Sequence, residues 1–241
     1  MTKFKGKSQL YKPASVQGGM SESNEDAMEE YIKAHIDEEG EYLHALWRDT
    51  QLRLMYGQMA SGHIQGRLLK MFVQMIRPKR VLELGTFSGY SALSMAEGLE
   101  AGSELHTFEI FDEQEDFLRP WFEKSLYADL IHLHIGNALE LVSEMDVEWD
   151  LVFIDADKRE YVEYYEMVLP HLKPGGYIIA DNTLWYGRVI ETDTRESDKQ
   201  TLGIKAFNDL VAKDDRVEKV IVPVRDGLTI IRKKDGNNKT E

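Results

Sequence analysis

The stretch Val81-Leu82-Glu83-Leu84-Gly85-Thr86-Phe87-Ser88-Gly89-Tyr90-Ser91 decides the fold. A short apolar strand runs into a glycine turn, and a helix starts directly behind it. Gly85 sits where the backbone needs angles closed to other residues, and Gly89 lets the helix approach the strand closely. Ser91 and the helix N-terminus offer donors to a polar ligand. A dinucleotide site needs glycine in the middle of Gly-x-Gly-x-x-Gly so that the backbone can reach a pyrophosphate. Phe87 holds that middle place, which disfavours an NAD-dependent dehydrogenase; a cofactor without phosphates fits better. Glu83 is a carboxylate within the strand, costly there unless it meets a cationic or donor-rich ligand. Glu109 ends the next strand, the usual place for an acid that accepts hydrogen bonds from ribose hydroxyls.

Outward from this turn the pattern alternates. Strands are predicted at 80–84, 104–109, 131–135, 151–154, 177–180, 217–222 and 228–232. Helices are predicted between them at 90–99, 112–125, 138–145, 159–169 and 199–212. Such alternation implies an α/β fold with a mainly parallel sheet and helices on both faces. The connection 223–227 is short enough to make the last two strands an antiparallel hairpin. Upstream, residues 24–76 carry helical apolar spacing, as in Ile64/Leu68/Leu69/Phe72/Met75/Ile76, and Pro78 closes the last helix. The expected organisation is one domain over 24–234 with flexible tails at 1–23 and 235–241, the first of them basic. Ligands of such sheets bind outside the carboxyl ends of the strands.

Two further strands end abruptly in oxygen. Leu151-Val152-Phe153-Ile154 runs into Asp155-Ala156-Asp157-Lys158, and Tyr177-Ile178-Ile179-Ala180 into Asp181-Asn182. If these strands are neighbours, Asp155, Asp181 and the Asn182 amide oxygen converge. Three hard oxygen ligands with room for waters suit Mg²⁺, with Mn²⁺ or Ca²⁺ as alternatives. Two close carboxylates without a cation repel, and a metal resolves that conflict. Lys158, three residues past Asp155, can lean over the same site and is a candidate general base. Trp185 and Tyr186 follow the second cluster and can wall an acceptor ring. Met59, Leu68, Met71 and Met75 read as core or dimer contacts, His132 and His134 as sheet-surface residues, and 191–199 as a mobile loop with the makings of a lid.

Bulk properties narrow the classes. The chain has 241 residues, no cysteine and a formal net charge of −14. The missing cysteines exclude disulfides, zinc thiolates and cysteine nucleophiles. The acidity counts against a protein that coats nucleic acid. No apolar run approaches the roughly 20 residues that span a bilayer. The first dozen residues have no secretory h-region, so a cytoplasmic location is expected.

The segments VLELGTFSGYS (81–91), FIDADKREYVEYYE (153–166) and LKPGGYIIADNTLWYGRV (172–189), preceded by MASGHIQGRLLKMF (59–72), together resemble the metal-dependent, caffeoyl-CoA-type O-methyltransferases. More distantly they resemble catechol O-methyltransferase. The resemblance runs from about residue 25 to 232. It implies a Rossmann-like, seven-stranded methyltransferase sheet with the first, fourth and fifth strands adjacent, and a homodimer. It implies S-adenosylmethionine bound by Ser61, Glu83, Gly85, Thr86, Ser91, Glu109, Ala138 and Asp157. It places a metal on Asp155, Asp181 and Asn182, the base at Lys158, and a chelated vicinal diol as acceptor beside Asp155, Trp185 and Tyr186. Two departures bear on the acceptor: Tyr186 stands where plant members carry asparagine, and His63-Ile64 replaces a more usual Pro-Glu or Asp-Glu pair. A relative acting on hydroxylated tRNA uridine is the alternative, which a basic face of the Lys-rich tail with Arg67 and Lys70 would favour. A non-catalytic cofactor sensor is a third reading, but it would need neither Lys158 nor the oxygen triad.

Overall fold

The computed structural model describes residues 22–236. The expected tails fall almost wholly outside the described residues, except that helix α1 (Glu22–Lys33) already begins within the first of them. The chain forms two compact units that divide after Asp37. In the first, α1 leaves Met28 and Tyr31 exposed and pairs Lys33 with Glu29 at 2.9 Å.

The second unit carries a seven-stranded sheet in the order β3-β2-β1-β4-β5-β7-β6. Its strands are β1 (Arg80–Leu84), β2 (Glu104–Glu109), β3 (Ile131–Ile135), β4 (Trp149–Ile154), β5 (Leu172–Ala180), β6 (Val217–Val222) and β7 (Leu228–Lys233). The first five are parallel, and β7 runs antiparallel to both β5 and β6, as the short 223–227 connection requires. The order reverses between β1 and β4, where such sheets bind their ligands.

The helices are α2 (Glu41–Arg53), α3 (Gly62–Ile76), α4 (Tyr90–Ala96), α5 (Glu115–Glu123), α6 (Ala138–Leu141), α7 (Tyr161–His171) and α8 (Lys199–Lys213). Alternating strand residues feed two cores. Leu82, Val152, Ile154 and Ile178 pack with Tyr165 and Leu169 of α7 and Phe207 of α8. Val81, Leu151, Phe153 and Ile179 pack on the other face with Leu46, Leu69, Val73 and Leu93 of α2, α3 and α4. Burial on both faces explains the unbroken apolar run Leu151–Ile154 in β4. Helix α3 stops at Arg77, whose left-handed φ of 54° caps the helix just before Pro78.

Some expectations shift. Residues 112–125 form a 3-10 turn and then α5, which tolerates Pro120. Met59, Met71 and Met75 are at least half exposed and so are not core, whereas Leu68 packs against the buried cluster. His132 is exposed, but half-buried His134 stacks on Phe108 at 4.4 Å and bonds His106 at 3.0 Å. The 191–199 segment is irregular and tied down, with Lys205 Nζ donating to Glu191 O and to Thr194 Oγ1 and Arg188 pairing with Asp198. No described helix is long and apolar enough to cross a membrane.

Candidate functional site

The strand ladder itself delivers the acidic residues. Past the paired residues, Asp155 N donates to Leu84 O and Asp181 N to Ile154 O, both at 2.9 Å. Asp155 and Asp181 therefore leave neighbouring strands at one level, confirming the adjacency of β1, β4 and β5 that the sequence alone left open. Asp181 is 4% exposed, and burial first, then the Asp155 charge, pushes its carboxyl up to about 6. Asp181 Oδ1 accepts from the Asn182 backbone N–H at 2.7 Å, and Oδ2 from Gln65 Nε2 at 2.5 Å. Asn182 takes a left-handed φ of 57°, which asparagine tolerates better than most residues.

Lys158 lies over this pair. Its Nζ donates to Asp155 Oδ1 at 2.7 Å and to the Tyr161 hydroxyl at 2.8 Å, above the Tyr161 ring at 4.9 Å. The Tyr161 hydroxyl in turn faces Asp181 O at 3.0 Å and Ile154 O at 3.3 Å. Tyr161 is fully buried, which holds its phenol well above the ordinary range. The two carboxylates and the amide that follows them are hard oxygen donors whose mutual repulsion a dication would relieve. The donor chemistry thus fits Mg²⁺. Among the described residues no group of three or more His, Cys, Asp or Glu side chains is placed to hold a metal; this set has two carboxylates and relies on the amide.

Beside it lies the glycine turn. Gly85 has φ 99°, and a Cβ there would collide with the Asp155 carbonyl, so only glycine lets β1 turn against β4. The amides of Gly85 and Thr86 donate to Phe108 O at 3.1 Å, and that of Phe87 to Glu109 Oε2 at 2.8 Å. These bonds occupy the amides that a phosphate would need. Glu109 Oε1 accepts from Phe111 N at 3.0 Å, and burial still raises this carboxyl.

Glu83 is fully buried. Thr107 Oγ1 donates to its Oε2 at 2.5 Å and meets Thr86 Oγ1 at 2.6 Å, while Oε1 has no hydrogen-bond partner. Burial pushes Glu83 up to about 8, against the pull of the Ser91 and Thr107 hydroxyls and with a further push from Asp155 and Glu109. A buried carboxylate with an orphan oxygen below a glycine turn fits a cationic, donor-rich ligand.

The remaining expected residues sit at element starts. Ser61 opens α3 and Ala138 opens α6. Asp157 caps the turn at Lys158–Glu160 by accepting from Arg159 N at 2.9 Å, and the Arg159 side chain holds its carboxyl low. Trp185 packs on the core with its indole N–H buried and unpartnered, whereas Tyr186 is 80% exposed, the ring centroids 5.4 Å apart.

Four residues without a predicted role belong to this region. Gln65 is 116 positions from Asp181 in sequence, and Tyr161 is one of three buried tyrosines in α7. Asp226, in the β6–β7 loop, accepts from Tyr186 N at 2.6 Å and Leu184 N at 2.9 Å, clasping the Trp185–Tyr186 turn. Gly203 of α8 lies against the backbone of Lys158 and Arg159, where a Cβ would collide with Lys158 O. Only its place on the helix, invisible until α8 docks, marks it.

Residues 33–234 match the family model described as O-methyltransferase. Tricin synthase 1 of Oryza sativa subsp. japonica is 34% identical over 202 residues, covering 77% of this chain and 80% of that protein. Caffeoyl-CoA O-methyltransferase 1 of Zea mays is 33% identical over 196 residues, covering 77% and 76%. Among solved structures, the SAH-bound methyltransferase PaMTH1 of Podospora anserina superposes with a TM-score of 0.83 at 28% identity, covering 90% of this chain and 98% of that one. An O-methyltransferase from Bacillus cereus in complex with SAH gives 0.79 at 28% identity, covering 86% and 97%.

Proposed function

This chain belongs to the O-methyltransferase family, and from that premise we propose that it moves the methyl of S-adenosylmethionine to one hydroxyl of a vicinal diol held by a divalent metal. The acceptor class is a catechol- or caffeoyl-type small molecule. One observation carries this reading: Asp155 and Asp181 end adjacent strands at the same level, with Lys158 Nζ 2.7 Å from Asp155.

The cofactor supplies an electrophilic sulfonium methyl. Glu83, Gly85, Thr86, Ser91 and Glu109 would hold it at the end of β1 and β2, with Ser61, Ala138 and Asp157 from the flanking turns. Asp155, Asp181 and Asn182 would hold the dication, which supplies Lewis acidity and orients two acceptor oxygens. Lys158, once its amine is neutral, takes the acceptor hydroxyl proton at Nζ. Asp155 Oδ1 and the Tyr161 hydroxyl keep that nitrogen in place. Trp185 and Tyr186 form the rim that orients the acceptor ring. Positioning of this kind contributes a large share of the rate in transfers that ask little covalent work of the protein.

The tRNA reading loses support from the structure. Arg67 and Lys70 both engage Glu97, at 2.8 and 3.2 Å, so the chain's own acid offsets one of the two charges on that half of the basic face. The test of the main reading is methylation of a catechol probe. Asp181→Ala and excess EDTA should each reduce turnover by at least about 100-fold. Full activity in EDTA refutes the metal's part.

A further inference from the structure

Gln65 is 1% exposed, in the helix that Ser61 opens. Its Nε2 donates to Asp181 Oδ2, while its Oε1 is buried without a partner. A half-satisfied buried amide is an unfavourable way to fill space, since an apolar side chain of the same size would carry no desolvation cost. The amide at this position therefore asks for an account beyond packing. Asp181 supplies one. Its Oδ1 is fixed by the Asn182 backbone at 2.7 Å, and its Oδ2 has Gln65 as donor. With one donor on each oxygen, the plane of the carboxylate is set. Without Gln65, Oδ2 would lose the side-chain donor that complements the backbone donor on Oδ1.

We propose that Gln65 is a positioning residue of the dication site, fixing the Asp181 carboxylate from a helix outside the sheet. This rests on the metal reading given above. Outer partners that orient a ligating carboxylate commonly change metal affinity by 10–100-fold when removed.

The experiment measures Mn²⁺ binding by the electron paramagnetic resonance of the free ion, with Mg²⁺ as competitor, for the parent protein and Gln65→Met. Methionine keeps the volume and removes the donor. The expected result is a loss of Mn²⁺ affinity of about tenfold or more, with the thermal midpoint and SAH binding preserved. In the parent protein, the Gln65 side-chain amide protons should shift on Mg²⁺ addition with the midpoint of binding, a readout that does not depend on the variant folding. A folded variant with parental Mn²⁺ affinity, or a Gln65 amide signal that Mg²⁺ leaves unmoved, overturns the inference while the metal reading stands. A parent protein that binds neither ion overturns both.

Discussion

Lys158 is held at two points, Asp155 Oδ1 and the Tyr161 hydroxyl, and the two contacts predict different losses. Lys158→Met removes the proposed base and should lower kcat by roughly 10²–10⁴-fold, with SAH affinity unchanged in a calorimetric titration. Tyr161→Phe leaves the amine but frees it on one side. It should lower kcat by about tenfold, the equivalent of one net hydrogen bond, with little change in the KM for the cofactor. Glu83 offers a prediction in pH. Its carboxyl is pushed up to about 8 in the folded protein, so the native state keeps a proton that the unfolded chain releases near 4.5. Its contribution to stability is therefore full below about 4.5 and is lost as pH rises through about 8. In ligand-free protein, Glu83→Gln should raise the melting midpoint at pH 8 by about 2–4 °C or more and leave it nearly unchanged at pH 4.5. An equal shift at both pH values would mean that Glu83 is not protonated in the fold.

Among the elements, α8 governs the turn that carries Lys158. Gly203→Ala would drive a methyl into Lys158 O, so either the helix or the turn must move. The expected cost is roughly 1–3 kcal/mol of stability by urea denaturation, together with a fall in kcat larger than the change in cofactor affinity. Four strands, β1, β2, β3 and β6, start and end where apolar alternation and turn residues place them. β5 begins at Leu172, ahead of the expected 177, because Leu172 pairs with Trp149 across an irregular register that no local apolar run announces. The carboxylates were legible because an apolar strand that stops at aspartate carries its own signal. Gln65, Asp226 and Gly203 were not, because their roles exist only once distant elements meet. Tyr161 was hidden for another reason: α7 is rich in tyrosine, and nothing local separates it from Tyr164 or Tyr165.

For the molecule as a whole, two opposite titrations bracket stability. His106, His132 and His134 stack on one sheet face, with His106 4.7 Å from His132 and 5.3 Å from His134. Burial first, then the two neighbouring imidazoles, lowers His106 to about 4, and burial lowers His134 as well. A lowered histidine contributes stability that is complete above the unfolded value of about 6.5 and declines as pH falls toward 4. Glu83 acts in the other direction, losing its contribution as pH rises. The melting midpoint of the ligand-free chain should thus pass through a maximum near pH 6, and His106→Phe should flatten its acid side. A midpoint that climbs steadily to pH 9 contradicts the Glu83 assignment, and one that holds level from pH 6 down to pH 4 contradicts the His106 assignment. The backbone bonds that carry Asp155 and Asp181 off their strands belong to the sheet, whereas the Trp185–Tyr186 turn and its Asp226 clasp belong to surface connections. Substitutions confined to those two connections would thus leave the ladder bonds that seat Asp155 and Asp181 untouched.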